Sequence, residues 1–219
     1  MCGRYALHSH PEVVALQFGL DAAPRFEARY NICPSTGILV IRIDAERKRA
    51  AEICRWGLGN KLANARGETL AEKPAFRNAF RNSRCLVPAS GFYEWQSIAR
   101  TKRPWYVHAK DGGLFGLAGF VALWQGKRSV TLITTEPNAL MATIHDRMPV
   151  IVPPARYAAW LDPAYAAENL LRSYPAQAMQ AHPVHPRVNA PANDDPGVIS
   201  EFDAQPVLDI LPVHGRTHR

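Results

Sequence analysis

The chain has 219 residues, 47% of them hydrophobic and 21% charged, which is typical of a folded globular protein rather than a disordered or fibrous one. No apolar run reaches the roughly 18 residues of a membrane span, and no apolar stretch follows a basic start, so we expect neither a membrane helix nor a secretory signal. The net charge of +7 is concentrated in residues 42–103, where fourteen Lys and Arg accompany six Asp and Glu. This excess favours a polyanion such as nucleic acid as partner, with a solubilising surface as the alternative.

Short elements are predicted along the first half of the chain. A proline in the first turn predicts a helix over Pro11–Phe18. β-branched and apolar residues predict strands at 37–43 and 51–58, followed by a loop at 59–66. Residues 74–80 predict one or two helical turns, because two phenylalanines four positions apart share one face.

Further strands are predicted in the middle of the chain. Residues 85–95 favour a strand that is interrupted by Pro and Gly. Residues 105–109 and 114–124 flank the Asp-Gly-Gly sequence at 111–113, which is a signal for a β-hairpin. Residues 128–135 predict another strand.

The last third predicts helical turns at 139–144, a strand at 148–152, helices at 154–161 and 164–174, and a strand at 184–188. About seven short strands and three or four short helices follow without regular βαβ alternation. We therefore expect an α+β fold with a curled, barrel-like, mostly antiparallel β core flanked by short helices.

No linker divides the chain, so residues 1–219 are predicted to form one domain, with a polar, frayed end at 214–219. The four cysteines, at positions 2, 33, 54 and 85, have neither Cys-x-x-Cys nor zinc-ligand spacing. Cys33, Cys54 and Cys85 lie in apolar surroundings and are interpreted as buried, reduced thiols. We expect no metal and no disulfide scaffold.

Cys2 has a chemistry that no internal cysteine shares. If Met1 is removed, Cys2 carries an α-amine and a thiol on adjacent carbons, with reference pKa values of about 8 and about 8.5. This aminothiol can condense with an aldehyde to an imine and close to a five-membered thiazolidine, or act as an N-terminal nucleophile. The alternative is that Cys2 merely follows the initiator methionine.

Two further residues are candidates for acid and base catalysis. His145 lies between a predicted helical turn and a strand, where a loop can present it, although a surface histidine is equally compatible with that position. Glu94 alternates with Phe92 on one face of an apolar strand, which favours an inward or cleft-lining carboxylate with a raised pKa over a solvated one.

Three residues near the basic segment are candidates for binding. Asn64 can donate hydrogen bonds, and Arg66 can bind phosphate through its planar fork. The alternatives are a turn asparagine and a surface salt bridge to Glu68. Trp95 can stack on a base, although most aromatic residues at such positions belong to a core.

These residues occur in a recurring pattern of motifs. The chain resembles the SOS response-associated peptidase (SRAP) family, the abasic-site processing proteins, from about residue 2 to 200, which leaves 201–219 as a C-terminal extension. Six motifs occur in the family's order: Met1-Cys-Gly-Arg-Tyr5, Arg29-Tyr-Asn-Ile-Cys-Pro34, Trp56-Gly-Leu58, Asn64-Ala-Arg-Gly-Glu-Thr69, Cys85-Leu-Val-Pro-Ala-Ser-Gly-Phe-Tyr-Glu-Trp95 and Ile144-His-Asp-Arg-Met-Pro149.

The resemblance implies a protein that binds single-stranded DNA and links itself to abasic sites without a cofactor. Cys2, freed of Met1, would form a thiazolidine with the aldehyde of the ring-opened sugar. Asn64 matches a residue that positions this cysteine and the sugar. Glu94 matches the acid/base carboxylate, and His145 matches a proton donor at the sugar hydroxyl. Autocatalytic removal of Met1 and strand-cleaving lyase activity are also implied.

Other positions match the family's DNA-binding surface: Arg4, Arg66 and Arg147 as phosphate contacts, Trp95 as an aromatic contact, and Pro34 and Thr134 in segments that line the site.

We expect a monomer, without membrane association, in the cytoplasm or at the nucleoid of a bacterium. The family often has a longer, aromatic loop where this chain has only residues 59–63. We expect linking to be retained, whereas the resemblance leaves a preference for single-strand/double-strand junctions open.

Two alternatives come from other classes of protein. Met-Cys-Gly also begins N-terminal-nucleophile glutamine amidotransferases, although these continue with an aliphatic residue rather than with Arg4-Tyr5. A non-catalytic single-strand-binding module would bind DNA in a salt-dependent manner, without regard to the lesion or to Cys2.

Overall fold

A computed structural model describes residues 2–22, 25–59, 62–70 and 72–203. Within these residues the chain forms three α-helices, α1 (Pro11–Phe18), α2 (Pro74–Asn82) and α3 (Tyr157–Leu161). It also forms thirteen strands: β1 (Tyr5–Leu7), β2 (Arg29–Ile32), β3 (Gly37–Ile43), β4 (Arg49–Trp56), β5 (Asn64–Arg66), β6 (Arg84–Ala89), β7 (Gly91–Ile98), β8 (Thr101–Ala109), β9 (Phe115–Trp124), β10 (Lys127–Thr135), β11 (Met148–Pro149), β12 (Ile151–Val152) and β13 (Met179–Pro183).

Five strands close into a barrel. β4, β3, β6 and β9 pair antiparallel in that order, and β9 pairs antiparallel with β10. The start of β10 closes the ring by pairing in parallel with the end of β4, where Val130 lies opposite Trp56. Further along β10, β5 takes the place of β4, so that Arg66 lies opposite Thr134. Because the barrel is closed, the backbone N–H and C=O groups along the edges of these strands are paired within the chain.

A second sheet packs beside the barrel. Its strands lie in the order β13, β8, β7, β1, β2, and all pairs are antiparallel. β1 therefore lies between β2 and β7, which places the residues before Tyr5 next to the middle of β7.

The barrel is stabilised by large apolar side chains that are fully buried. Trp56 and Trp160 are 0% exposed. On α2, the ring of Phe76 lies 5.4 Å from that of Phe120, and the ring of Phe80 lies 6.1 Å from that of Trp160. The two phenylalanines on one face of α2 are therefore the residues that fix this helix on the barrel.

The expected fold class is confirmed: a closed five-stranded barrel and a second sheet are flanked by short helices. The predicted helix Pro11–Phe18 and the predicted strand 37–43 have the observed bounds. Pro11 begins α1, and Gly19 ends it with a φ of 65° that an L side chain rarely adopts.

Four predictions about elements are wrong. The strands on either side of 111–113 do not form a hairpin, because β8 belongs to the second sheet and β9 to the barrel. The predicted loop at 59–66 contains strand β5. The predicted helix 164–174 is reduced to a 3-10 turn at Ala167–Leu170, and the predicted strand 184–188 overlaps a 3-10 turn, Pro186–Asn189, while the strand itself lies earlier, in β13.

All four cysteines are free; Cys54 and Cys85 are buried as expected, whereas Cys33 is only half-buried. The expected frayed end at 214–219 and residues 60 and 61 of the short loop lie outside the described residues. No described helix is both long and apolar enough to cross a membrane.

Candidate functional site

Cys2 lies at the junction between the second sheet and the barrel. The Tyr93 amide donates to the Arg4 carbonyl over 2.9 Å, which continues the pairing of β1 and β7 backwards towards Cys2. Cys2 is 0% exposed. Burial raises the pKa of its thiol well above the usual range, and the charge of Glu94 raises it further. The thiol is therefore neutral at physiological pH and needs a base to become nucleophilic.

Asn64 holds the backbone of Cys2. Strand β5 places the asparagine beside the end of β10, opposite Leu132. Its Nδ2 donates to the carbonyl oxygen of Cys2 over 2.7 Å. Its Oδ1 is buried and accepts no hydrogen bond from the described residues. An unsatisfied buried acceptor is costly, so this oxygen is available to a ligand that brings a donor.

Glu94 is buried in β7, as its alternation with Phe92 predicts. The residue is 1% exposed. Burial raises the pKa of its carboxyl group from 4.5 to about 7, and the charge of Asp146 also raises it. A carboxyl group with this pKa exchanges its proton at physiological pH, which suits an acid/base catalyst.

His145 faces Glu94 from the loop after a 3-10 turn at Met141–Thr143, so the loop position expected for it is confirmed. Its Nε2 lies 3.7 Å from Oε2 of Glu94. Its Nδ1 accepts the Arg147 amide over 3.0 Å, so the neutral ring carries its proton on Nε2. The Asp146 carboxylate also lies 2.9 Å from Nδ1, where it would accept a hydrogen bond from a proton-bearing Nδ1, but its side chain is 88% exposed and solvent weakens this contact. Burial lowers the pKa of His145, which favours the neutral form.

Arg147 is held at the rim by a two-pronged ion pair. Its guanidinium donates to both carboxylate oxygens of Glu68, over 2.8 and 2.9 Å, and to the Thr134 carbonyl over 2.7 Å. The hydrogen bonds from Arg147 lower the pKa of Glu68. Arg66 lies opposite Thr134 in the strand pairing and is exposed. Two arginines and one carboxylate therefore share this edge.

A second pair of candidates lies on the other side of Cys2. Arg4 donates to Asn31 Oδ1 over 2.6 Å and to the Val188 carbonyl over 2.9 Å, and its guanidinium lies 5.9 Å from the ring of Trp95. Trp95 donates through its indole nitrogen to Asn189 over 2.8 Å. Cation and indole thus form one half-exposed surface.

Two predicted contacts are less well placed for a ligand. Pro34 lies half-buried in the turn between β2 and β3. In the described part of the chain, no polar contact joins it to Cys2 or to Glu94. Thr134 is 0% exposed, and its hydroxyl lies 3.4 Å from the Ala65 carbonyl and 3.3 Å from the guanidinium of Arg147. It contacts the rim arginine rather than open space.

Sequence reasoning missed three residues that support the site. Glu68 fixes Arg147, and buried Asn31 fixes Arg4. Gln96 donates to the carbonyl of Thr143 over 2.8 Å and so ties β7 to the turn that carries His145. A signal for Gln96 was present, because it lies two residues after Glu94 and strand alternation places both on one face.

In the part of the chain that the structure describes, no three His, Cys, Asp or Glu side chains are grouped to hold a metal ion.

A protein from Bacteroides thetaiotaomicron has a similar fold, with a TM-score of 0.82, 24% identity, and coverage of 92% of this chain and 100% of that one. A protein from Bordetella bronchiseptica has a TM-score of 0.75 and 27% identity, with coverage of 84% and 100%.

Several curated proteins are similar in sequence. The abasic site processing protein YoqW of Bacillus subtilis is 39% identical over 91% of this chain and 99% of its own length. YoaM of the same organism, also named an abasic site processing protein, is 38% identical over 89% and 95%. The abasic site processing protein HMCES of Xenopus tropicalis is 28% identical over 78% and 65%. The family model for SOS response associated peptidase (SRAP) matches residues 1–191, and the chain belongs to this family.

Proposed function

We propose that this protein processes abasic sites in single-stranded DNA by forming a covalent link through Cys2. The arrangement around Cys2 is the observation that carries the proposal. Asn64 holds its carbonyl oxygen, and the charge of Glu94 acts on its thiol. The imidazole of His145 lies beyond Glu94, at 3.7 Å. The names of the relatives as abasic site processing proteins support the same substrate.

The linking reaction follows from the 1,2-aminothiol of Cys2 after Met1 has been removed. The α-amine attacks C1′ of the ring-opened sugar, and the carbinolamine loses water to give an imine. The sulfur then bonds to the same carbon, while the thiol proton passes to the nitrogen. The product is a thiazolidine, and water is the only molecule released. No cofactor and no second protein copy take part.

Glu94 is assigned both proton transfers of this reaction. Because the pKa of Cys2 is raised by burial, the thiol needs a base as it attacks the imine. The Glu94 carboxylate accepts that proton, and the protonated carboxyl group assists the departure of water. A pKa of about 7 makes both forms available at physiological pH. The same group can protonate the sulfur in the reverse direction and release the link.

His145 is assigned to the sugar. Its Nε2–H, fixed by the hydrogen bond at Nδ1, can donate a hydrogen bond to the sugar oxygen during ring opening, and the imidazolium form can transfer the proton. Arg4, Arg66 and Arg147 are assigned to the phosphates beside the lesion, and Trp95 to a neighbouring base. Asn64 Oδ1 is the acceptor assigned to a sugar hydroxyl or to the α-amine.

Two side activities use the same groups. Loss of a proton from C2′ of the imine would break the bond to the 3′ phosphate oxygen and cut the strand. Attack of the Cys2 thiol on the Met1 carbonyl would expel the peptide nitrogen as the α-amine of Cys2, and water would hydrolyse the thioester to methionine and the free thiol. Both proposals depend on the same nucleophile as the link.

The test uses a single-stranded oligonucleotide with one abasic site, an undamaged control, and protein confirmed by mass to lack Met1. We expect a band that survives heat and detergent only with the abasic strand, at the mass of the two reactants less one water. Cys2→Ala retains an α-amine but no sulfur. It should give no stable band, but it should be captured when borohydride reduces the imine.

A heat-stable product from Cys2→Ala would contradict the thiazolidine. If the wild-type protein forms no product but binds both oligonucleotides equally, the protein is a binding module. Release of ammonia from glutamine would instead identify an amidotransferase.

A further inference from the structure

A groove of about 1010 Å³ opens at the far end of the barrel from Cys2. It is bordered by the turn between β3 and β4, the end of β9, the start of β10 and the ends of α2 and α3. None of the candidate catalytic residues lines it. It is therefore a second concave surface, separate from the candidate site.

Arginines dominate the lining of this groove. Five of them border it: Arg42, Arg47, Arg49, Arg84 and Arg128. Two aspartates, Asp44 and Asp162, also border it, and Glu52 lies beneath, which leaves an excess of two positive charges. The aspartates are engaged in turns, since Asp44 accepts the Lys48 amide and Asp162 accepts the Ala164 amide.

Two of the five arginines share one carboxylate. Arg42 Nε lies 2.5 Å from Oε1 of Glu52, and Arg128 Nη1 lies 2.7 Å from Oε2. The other three have no ion pair within the described residues. Arg47 is exposed in the β3–β4 turn, and Arg49 donates to the Phe18 carbonyl over 2.8 Å.

Arg84 is a buried charge without a carboxylate partner at hydrogen-bond distance. The residue is 6% exposed. Its guanidinium donates only to backbone carbonyls, among them Trp160 over 2.6 Å, Phe80 over 3.1 Å and Tyr165 over 3.0 Å. Neutral acceptors satisfy its donors, and the nearby charges of Glu168 and Asp162 offset its own charge only in part, so the groove attracts an anion.

The groove and the candidate site lie at opposite ends of β10. Arg128 stands at the start of the strand and Thr134 near its end, six residues apart. At about 3.4 Å per residue the separation is roughly 20 Å. Stacked nucleotides follow one another at about 3.4 Å, so a stacked strand needs about six nucleotides to reach from one end to the other, and an extended strand needs about half as many.

We propose that this arginine groove binds the phosphate backbone of single-stranded nucleic acid as a second contact, distant from the Cys2 site. Planar guanidinium groups bind phosphate in two-pronged fashion, and arginine is preferred to lysine for this purpose. The end of β9 places Leu123, 72% exposed, in the lining of the groove, and the next residue, Trp124, is 46% exposed and faces the other way, towards Gly59. Exposed aromatic side chains near a basic groove are typical of surfaces that bind single strands, and Trp124 can serve a strand that leaves the groove over the end of β9.

The test is the salt dependence of binding to undamaged oligonucleotides of about two and about thirty nucleotides, the shorter too short to span the two ends even when extended. The variant is Arg47→Asn combined with Arg128→Gln. Asparagine tolerates the φ of 61° at position 47, so the turn is retained. Arg156→Gln removes one charge from an exposed residue that does not line the groove and serves as control.

For the long oligonucleotide, we expect the slope of log binding constant against log salt to become less steep by about 0.7 per arginine lost. The short oligonucleotide contacts one end at a time, so its affinity should fall far less than that of the long strand, and the variant should still link to a short abasic strand. An unchanged slope for the long strand, or an equal change in the Arg156→Gln control, would overturn the proposal.

If polyglutamate displaces the long strand from the wild-type protein as effectively as unlabelled DNA does, and this displacement is lost in the variant, the groove binds an acidic protein instead. Because undamaged strands are used, the outcome does not depend on the linking reaction. If the wild-type protein forms no link but the slope still depends on the groove, only the proposed function fails.

Discussion

Nε2 of His145 lies 3.7 Å from Oε2 of Glu94, in surroundings that reverse the usual order of their acid strengths. Burial raises the pKa of Glu94 to about 7 and lowers that of His145 below 6.5. The carboxyl group therefore keeps its proton to a higher pH than the imidazole does. Near pH 7 about half of the Glu94 carboxyl groups carry a proton beside a mostly neutral imidazole, so Glu94 is the member of the pair that can both give and accept a proton.

Glu94→Gln should slow both formation and reversal of the link at least tenfold at pH 7. The amide cannot accept the thiol proton, whereas its size and its burial are conserved. In the wild type we expect the rate of linking to change with pH around 7, and this inflection should vanish in Glu94→Gln. Rates measured on denaturing gels from pH 5 to 9 would check this.

His145→Gln is the matched variant for this profile. It should slow sugar opening but keep the inflection, because Glu94 still titrates. Unchanged rates in Glu94→Gln would remove the carboxyl group from the chemistry.

The same raised pKa predicts how stability depends on pH. A carboxyl group whose pKa rises from 4.5 to about 7 on folding binds its proton more tightly in the native state. Its contribution to stability is complete below about pH 4.5 and is lost as the pH rises through 7. The loss is at most about 3 kcal/mol, at 1.36 kcal/mol per pKa unit.

Glu94→Gln should therefore be more stable than the wild type at pH 8 but not at pH 4. Urea denaturation at both pH values measures the difference. A constant difference between the two proteins at all pH values would contradict the raised pKa.

Local signals predicted some elements because they are complete within a few residues. Pro11 and Gly19 bound α1, so its ends could be predicted without tertiary information. The Asp-Gly-Gly turn at 111–113 is a real reversal of the chain, with Gly112 at a φ of 73°. Whether the flanking strands then pair depends on partners far away in sequence, and here each strand pairs in a different sheet.

The candidate site shows the same limit. The motif pattern identified Asn64 and Glu94 as candidates, but spacing alone could not place either beside Cys2. Glu68 and Arg147 are 79 positions apart, and their ion pair depends on β5 and β11 both adding to β10. Such contacts become visible only once the sheet order is known.

The ion pair of Arg147 predicts that Glu68 opposes DNA binding. A phosphate must displace the Glu68 carboxylate from the guanidinium fork before it can bind there. Glu68→Gln should therefore strengthen binding to single-stranded DNA and steepen its salt dependence. Arg66→Ala, on the same edge, should weaken binding and reduce the slope by about one unit. Fluorescence anisotropy over a salt series would measure both, and a Glu68→Gln protein that binds more weakly would contradict the role of Arg147.

Asn64 predicts a difference between binding and chemistry. Asn64→Ala and Asn64→Asp both remove the donor that holds the Cys2 carbonyl, at a cost of about 1 kcal/mol in stability. Each should slow linking at least tenfold while retaining most of the affinity for undamaged DNA. Only the aspartate adds a charge, so a defect shared by both variants is due to the lost donor. Linking at the wild-type rate in Asn64→Ala would show that Cys2 needs no such support.

Arg84 predicts the largest loss of stability among the variants considered. Its guanidinium satisfies the carbonyls of Phe80, Arg81, Trp160, Asp162 and Tyr165, which join α2 to α3 and to the segment that follows. Arg84→Met fills similar space but leaves these acceptors without a donor, and we expect a loss of about 3 kcal/mol or more.

Arg84→Lys keeps the charge and up to three donors, so it should recover part of this loss. Thermal denaturation of the three proteins gives the order wild type, lysine, methionine. If methionine proves as stable as arginine, the buried charge is dispensable for folding. The position of Arg84 beside the groove would then be explained by the anion that the groove binds.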